Sequence, residues 1–242
     1  MPRGRSPGYE LQRETILARA AELFAQRGYP ATSMNEVAEA CGVSKPSLYH
    51  YVRDKHQLLA EIAEAHVARL LALVDEVDAA KAAPEHRLRL LIDAFLAAYA
   101  GSQAEHRVLT DDVRFLAPAE KRRVVGGQRR VVAAFAEAIV AIRPELAAAR
   151  LQKPLAMLLF GMMNWMFTWL RPRGELSHAD LAPVVADLFF GGLGAVHPPA
   201  HKVSNRSNGE SPCPSQETRS SPPASRRRPR SPASRTPTST SA

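Results

Sequence analysis

The stretch "SMNEVAEACGVSKPSLYHY", Ser33 to Tyr51, holds two helix starts a short distance apart. Ser33 followed by Glu36 is a capping box: the serine hydroxyl accepts from the Glu36 amide, and the glutamate side chain reaches back. Ser44 opens a second helix with Pro46 in its first turn, where a missing N–H does no harm. Cys41-Gly42 lies between them and supplies the backbone freedom for a tight turn. The spacing predicts a helix over Met34–Cys41, a turn at "GVS" and a second helix over Lys45–Tyr51, a helix-turn-helix with a very short second member. Val37, Val43, Leu48 and Tyr51 are expected to face inward, on Phe24 and Leu23. Lys45, Pro46, Ser47, Tyr49 and His50 are left outward or at the helix start.

A short helix with outward polar-tipped rings is a poor core element. It suits a helix whose first residues enter the major groove of duplex DNA. Lys45 can donate to guanine O6 or N7; Pro46 and the Tyr49 ring offer apolar contact to a thymine methyl, and Ser47 can donate or accept. His50 and the Tyr49 hydroxyl can reach phosphate. Ser33 and Lys55, both at helix starts, are expected to add phosphate contacts. The plainer alternative is that Tyr49 and His50 form the solvated face of a small helical domain.

Around this core the whole chain reads helical. Ile16, Ala20, Leu23 and Phe24 share one face of a helix over Tyr9–Arg27, closed by Gly28. Asp54 caps a long helix to about Ala80, with Leu58, Leu59, Ile62, Leu70, Leu73 and Val77 as core candidates. Further helices are expected near 84–100, 103–115, 118–142, 146–170 and 178–195. No stretch alternates with period two long enough for a sheet, so the fold class is all-α. Gly126-Gly127 inside the 118–142 helix predicts a kink or a break. Pro183 predicts a late start or a bend in the last helix. The expected division is a basic arm at 1–8, a DNA-binding domain at 9–54, a helical ligand-binding and dimerisation domain at 55–196, and a disordered Ser/Pro/Arg-rich tail at 197–242.

The net charge of +8 is unevenly placed. From His197 onward eight basic residues face Glu210 and Glu217, so the tail holds most of the excess and the folded part is nearly balanced. The basic composition is therefore weak evidence that the folded part binds nucleic acid. A non-specific nucleic-acid binder acting through "SRRRPRSPASR" is the reading of another class. Cys41 and Cys213 fit neither a metal pattern nor a disulfide framework, which points to a reducing, cytoplasmic setting. The start "MPRGRSPGYELQ" lacks the apolar stretch of a secretory leader. The run from Leu155 to Leu170 is shorter than the ~20 residues a span requires, and Asn164 interrupts it, so no membrane partner is expected. No HExxH, P-loop, GxSxG or dinucleotide fingerprint is present, and the histidines lack ligand spacing. No catalytic residue, metal site or cofactor is expected.

"RETILARAAELFAQRGYPATSMNEVAEACGVSKPSLYHYVRDKHQLL", Arg13 to Leu59, resembles the N-terminal domain of the tetracycline-repressor (TetR/AcrR) family of bacterial regulators. The "AAELFAQRGY" helix end, the "TS…VA…GVSK…LYHY" core and the "K…LL" opening of the long helix carry the likeness. His56 stands where an acidic residue is common, and Tyr51 replaces a usual Phe. The resemblance implies that Ser33, Lys45, Ser47, Tyr49, His50 and Lys55 face double-stranded operator DNA. It also implies a homodimer through the last two helices, with Gly161, Gly191, Gly192 and Gly194 permitting close approach. "GMMNWMFTWLRPRGELS" (Gly161–Ser177) and "TDDVRFLAPAEKRRVV" (Thr110–Val125) resemble the subgroup governing catabolism of fatty acids, aromatic acids such as phenylacetate, or sterol rings. That subgroup responds to acyl-coenzyme A thioesters. The implied function is a repressor that binds an inverted repeat and is released by a thioester such as phenylacetyl-CoA; a sensor of drugs or other hydrophobic molecules is the alternative.

For such an effector, Phe95, Phe115, Met157, Phe160, Met163, Trp165 and Trp169 are candidates to line an apolar tunnel, with Asn164 as a polar member. Arg114, Lys121, Arg122, Arg123, Arg129 and Arg130 are candidates for the phosphates. Equally, these aromatics read as ordinary core and these cations as a solvated helix face.

Overall fold

The computed structural model describes residues 7–171 and 174–196. The basic arm lies outside the described residues except for Pro7 and Gly8, which open the first helix. The tail at 197–242, read as disordered, lies outside them altogether. Among the described residues every regular element is helical.

Helix α1 (Pro7–Arg27) is closed by Gly28, whose φ of +84° favours glycine. Helix α2 (Met34–Ala40) begins at the expected capping box: Glu36 N–H donates to Ser33 Oγ at 3.3 Å, and Ser33 N–H to Glu36 Oε2 at 2.7 Å. Gly42, at φ +65°, makes the turn to α3 (Lys45–Leu48). Ser44 caps α3 by accepting from Ser47 N–H at 3.2 Å. Helix α3 is shorter than expected, because Tyr49 to Tyr51 turn away into the Val52 anchor. Ile16, Phe24, Val37, Leu48 and Val52 are buried together, with Val43 and Tyr51 half-buried against them.

Helix α4 (Lys55–Ala79), capped by Asp54, runs from this region into the second one. There it meets α5 (Pro84–Gly101), α6 (Gln103–Asp111), α7 (Pro118–Ile142), the short α8 (Glu145–Ala148), α9 (Gln152–Trp169) and α10 (His178–Leu193). Helix α7 packs on α4, α5 and α9, while α10 packs on α5. An aromatic knot of Phe95, Phe135 and Phe160 fills the centre, with Phe95 and Phe135 4.9 Å apart edge to face. Such pairs add about 0.5–1.5 kcal/mol beyond the area they bury.

Four expectations are corrected. The helix over 103–115 breaks at Asp112, followed by a 3-10 turn at Val113–Phe115. Asp112 is buried and accepts the Tyr29 N–H, which holds the chain against the end of α1. The helix over 146–170 is two helices. Arg150 takes φ +56°, Leu151 N–H donates to Leu146 O at 3.0 Å and Arg150 N–H to Ala147 O at 3.0 Å. This is a Schellman closure with arginine where glycine is usual. Gly126-Gly127 does not break α7, which runs unbroken from Pro118 to Ile142. A Cβ at Gly127 would lie 2.3 Å from Val67 Cγ1, so this glycine is where α7 crosses α4 at close range. Finally, α10 begins at His178 as the 178–195 helix requires, directly after the Ser177 cap and with Pro183 inside it, so of the two readings of Pro183 the late start is the one that fails.

Candidate functional site

Two surfaces and one cavity bring the sequence candidates together or part them. At the first surface Lys45, Pro46, Tyr49 and His50 are exposed on and just after α3, Ser47 is half-buried, and Ser33 is exposed at the start of α2. Tyr49 is 44% exposed, a large ring with no place in the core. Tyr51 differs: its ring stacks on Tyr9 of α1 at 4.8 Å, and the Tyr9 hydroxyl donates to His50 O at 3.3 Å. The first turn of α1 thus holds the far end of the outward set in place. Glu36 pairs with Arg27 as well as capping α2, and these contacts hold its carboxyl below the usual range, the Ser33 backbone hydrogen bond foremost.

Lys55 has partners within the protein. Its ammonium donates to Tyr29 O at 2.9 Å, Thr32 O at 2.8 Å and Pro30 O at 3.3 Å, and lies 4.5 Å from the Tyr29 ring centre. All three donors are engaged, so Lys55 ties the turn after α1 to the start of α4. His56, unusual at its position, has a partner too: its Nε2 lies 2.6 Å from Glu120 Oε2, at the start of α7.

The cavity, about 1060 Å³, lies between α4, α6, α7 and α9. That volume is in the range of drug-sized ligand sites. Its wall is mostly apolar, with Val67 and Leu70 from α4, Leu109 from α6, Val131 and Val132 from α7, and Phe160 from α9. Arg129, Glu137 and Lys153 are exposed members, so charge gathers at the rim and not in the depth. Of the candidates for the tunnel, Phe160, Asn164 and Met157 line it, and of those for phosphate, Arg129.

The others stand elsewhere. Phe95 is fully buried behind the wall, against Phe135 and Phe160, and Met163 is core. Phe115 packs on Tyr29 at 5.4 Å, with the Arg114 guanidinium over its ring at 4.8 Å. Both belong to the junction between α1 and the turn after α6. Arg123 pairs with Glu64 across the surface, and Lys121, Arg122 and Arg130 are exposed away from the cavity. Trp165 and Trp169 are 66% and 53% exposed on the outer face of α9.

Those tryptophans belong to the second surface. Leu158 and Trp165 on α9, and Val184 and Leu188 on α10, are large exposed hydrophobics, and nothing stands within 4 Å of a Cβ placed at Gly161, Gly191 or Gly192. Large hydrophobics exposed at several positions of two helices are the kind of surface that interaction sites use.

The cavity also holds polar groups that were not anticipated: Tyr99, His106, Gln128 and Gln152. Behind it, His66 on α4 is buried beside His106. The signal for His66 was its register, since it continues the stripe of Leu59, Ile62, Ala63 and Leu70 into the core. No local pattern marked His106 or Gln152. Burial, with the neighbouring ring and Arg69 adding to it, brings His66 down to about 3, and burial brings His106 down to about 4, so both are neutral at neutral pH. Burial also pushes the Tyr99 phenol up. Among the described residues no group of His, Cys, Asp and Glu could hold a metal ion, and no helix is long and apolar enough to cross a membrane.

Residues 16–62 match the family described as "Bacterial regulatory proteins, tetR family", and residues 81–193 match "Tetracyclin repressor-like, C-terminal domain". Over 84 residues the chain is 36% identical to the transcriptional activator FasR of Mycolicibacterium smegmatis, covering 35% of this chain and 38% of that one. Over 120 residues it is 28% identical to the transcriptional repressor KstR2 of Rhodococcus jostii, covering 50% of this chain and 59% of that one. The chain thus spans about half the length of the curated relatives it matches. A solved TetR-family transcriptional regulator from Bordetella parapertussis is 34% identical, with 76% of this chain and 97% of that one covered and a TM-score of 0.72. The structure of AibR in complex with isovaleryl coenzyme A and operator DNA is 26% identical, covers 78% of this chain and 99% of that one, and has a TM-score of 0.62.

Proposed function

The chain belongs to the tetracycline-repressor family of bacterial regulators, and we propose that it acts as a cytoplasmic, effector-responsive repressor that binds an inverted-repeat operator as a homodimer and is released by an acyl-coenzyme A thioester. The observation that carries this reading is the pairing of an exposed reading helix with a large apolar cavity on one continuous helix, α4. Lys45, Pro46 and Tyr49 read base edges in the major groove; Ser33, Ser47 and His50 add contacts to the backbone. The apolar face of α9 and α10 joins two copies, which sets the two reading helices at the ~34–36 Å spacing of one DNA turn.

An effector seated between α4, α6, α7 and α9 bears on α4 directly, through Val67 and Leu70. Lys55 and His56, at the other end of α4, are tied to the turn after α1 and to the start of α7. A tilt of α4 therefore moves the reading helix with it and changes the half-site spacing. A coupling of about 1–3 kcal/mol loosens operator binding roughly 5–150-fold, and operator loosens effector binding by the same factor. The thioester assignment is supported by the cavity's apolar depth with Arg129 and Lys153 at its rim, where phosphates remain near water, and by the likeness to AibR, which was solved with an acyl-coenzyme A.

The test is a thermal-shift panel on the full chain, comparing acyl-coenzyme A thioesters, phenylacetyl-CoA among them, with the matching free acids, repeated with operator DNA. Thioesters are expected to raise Tm and to release DNA, and the free acids to do neither. A response to unrelated hydrophobic compounds with indifference to thioesters would instead identify a drug sensor.

A further inference from the structure

Three buried side-chain atoms at the cavity, His106 Nε2, Gln152 Oε1 and Asn164 Oδ1, have no hydrogen-bond partner among the described residues, and the first has the most defined surroundings. His106, on α6, is 4% exposed and lines the cavity. Its ring stacks on Tyr99 with centroids 3.9 Å apart, and Phe167 stands edge-on at 6.1 Å. His106 Nδ1 lies 3.4 Å from Nε2 of His66, while His106 Nε2 is buried without a hydrogen bond. On the far side of His66, Nδ1 lies 3.4 Å from a terminal nitrogen of Arg69, which also approaches Glu105 at 3.6 Å. An orphaned buried donor or acceptor carries a desolvation penalty, and its persistence calls for an explanation.

The tautomers follow from the one group in this row that cannot accept. A guanidinium only donates. His66 Nδ1 therefore accepts from Arg69, and the single proton of His66 sits on Nε2. That proton faces His106 Nδ1, which accepts it, so the single proton of His106 sits on its own Nε2. Both rings carry one proton at neutral pH because burial keeps them uncharged.

We infer that His106 Nε2–H is a hydrogen-bond donor held ready for a neutral acceptor oxygen on the effector, a carbonyl above all, with Arg69 and His66 as positioning residues that set its tautomer. The inference rests on the reading of this cavity as the effector site and adds the chemistry it selects. A carboxylate is a poor fit at this depth, since a neutral imidazole in an aromatic wall cannot compensate a buried charge. A carbonyl gives up little hydration and satisfies the orphaned N–H. The side-chain oxygens of Gln152 and Asn164, also buried without partners, line the same cavity and add polar capacity beside the donor. The row also reaches α4 through His66 and Arg69, so the anchor on α6 is joined to the helix that leads to the reading surface.

The test uses probes that do not depend on the identity of the natural effector. Acetophenone and cumene share size and ring, but only acetophenone offers a carbonyl. In the full chain labelled with 15N-histidine, long-range 1H–15N spectra at neutral pH are expected to place the proton on Nε2 of both His66 and His106. Acetophenone is expected to bind roughly three- to tenfold more tightly than cumene, the range for one net neutral hydrogen bond, and to move the His106 Nε2 resonance. H106F keeps the ring stack and removes the donor; it is expected to bind the two probes alike. R69M is expected to mix the His66 tautomers and to reduce the preference. A proton on His106 Nδ1, no preference or no binding in the wild type, or a preference that survives H106F, each overturns the inference. The spectra decide it on the wild type even where H106F does not fold. Failure of thioesters with the carbonyl preference intact refutes the thioester reading and leaves the anchor standing; the reverse result does the opposite.

Discussion

The reading end of the molecule and the cavity end are built by opposite means. From Ser33 to Tyr51 every functional group lies within one short stretch, and its placement is decided by neighbours a few residues away: Ser33 with Glu36, Ser44 with Ser47, and Gly42 in the turn. The cavity draws Val67, His106, Gln128, Gln152 and Asn164 from four helices, α4, α6, α7 and α9, spread over nearly a hundred residues of chain. A DNA-reading surface is convex and exposes polar tips, so local capping is enough to build it. A cavity is concave and exists only after helices α4 to α9 have packed. Local changes should therefore damage binding at the first without touching stability, whereas changes at the second should disturb fold and function together.

The strongest challenge to that contrast is the double variant K45E/Y49A. It reverses the charge of the proposed base-edge donor and removes the proposed apolar contact, where one good bidentate base contact alone is worth about 1–3 kcal/mol. Affinity for the palindrome is expected to fall more than about 100-fold by fluorescence anisotropy, with Tm unchanged because both side chains are exposed. Retained protection of the same palindrome at wild-type concentration would remove these residues from the DNA interface.

At the cavity end the sharpest probe is G127A, placed where α7 crosses α4. In an open helix Gly→Ala stabilises by about 1 kcal/mol. Here the new Cβ meets Val67 Cγ1 at 2.3 Å, and a β-branched neighbour has little rotamer freedom to yield. Overpacking costs about 1–3 kcal/mol, so the net effect in urea is a loss of about 1 kcal/mol. With V67A as background the obstacle is gone, and the same substitution is expected to stabilise. A G127A that stabilises the otherwise wild-type chain would show that the close crossing does not constrain α7.

How far each region was legible follows from the same contrast. The caps at Ser33, Ser44 and Asp54 are local, and the structure has them where the sequence pattern placed them. The breaks at Asp112 and Arg150 were not legible. One depends on a buried carboxylate reaching Tyr29 from far along the chain, and the other puts arginine in a left-handed conformation that ordinarily announces itself as glycine. Gly127 was noticed and misjudged, because a glycine that relieves a crossing looks in sequence like one that weakens a helix. The aromatic candidates parted for a similar reason. Phe95, Phe160 and Trp165 share a composition signal, but which of them is core, cavity wall or outer face depends on helix rotation. Lys55 shows the limit at the reading end: its position is local, and its partners Tyr29, Pro30 and Thr32 lie across a turn.

An effect of similar size, seen only as a difference between two pH values, is a pH dependence at the cavity end. His66 and His106 have folded pKa values near 3 and 4 against 6.5 for the free side chain. A depressed value means that below about pH 6.5 the unfolded chain takes up a proton that the folded chain refuses. Stability from these groups is therefore complete above pH 6.5 and declines as pH falls through the window toward pH 4. Each such histidine contributes a slope of about 1.4 kcal/mol per pH unit there. His66 and His106 share one environment, with Arg69, Glu105 and His178 beside them, so their contributions do not simply add. H106F removes one titrating ring and relieves the other of a neighbour. Between pH 7 and pH 5 its unfolding free energy, measured in urea, is expected to fall less than that of the wild type, by a difference of about 1–2 kcal/mol, while K45E/Y49A tracks the wild type throughout. Equal slopes in H106F and the wild type would mean that water reaches the pair and that its burial does not couple α4 to α6.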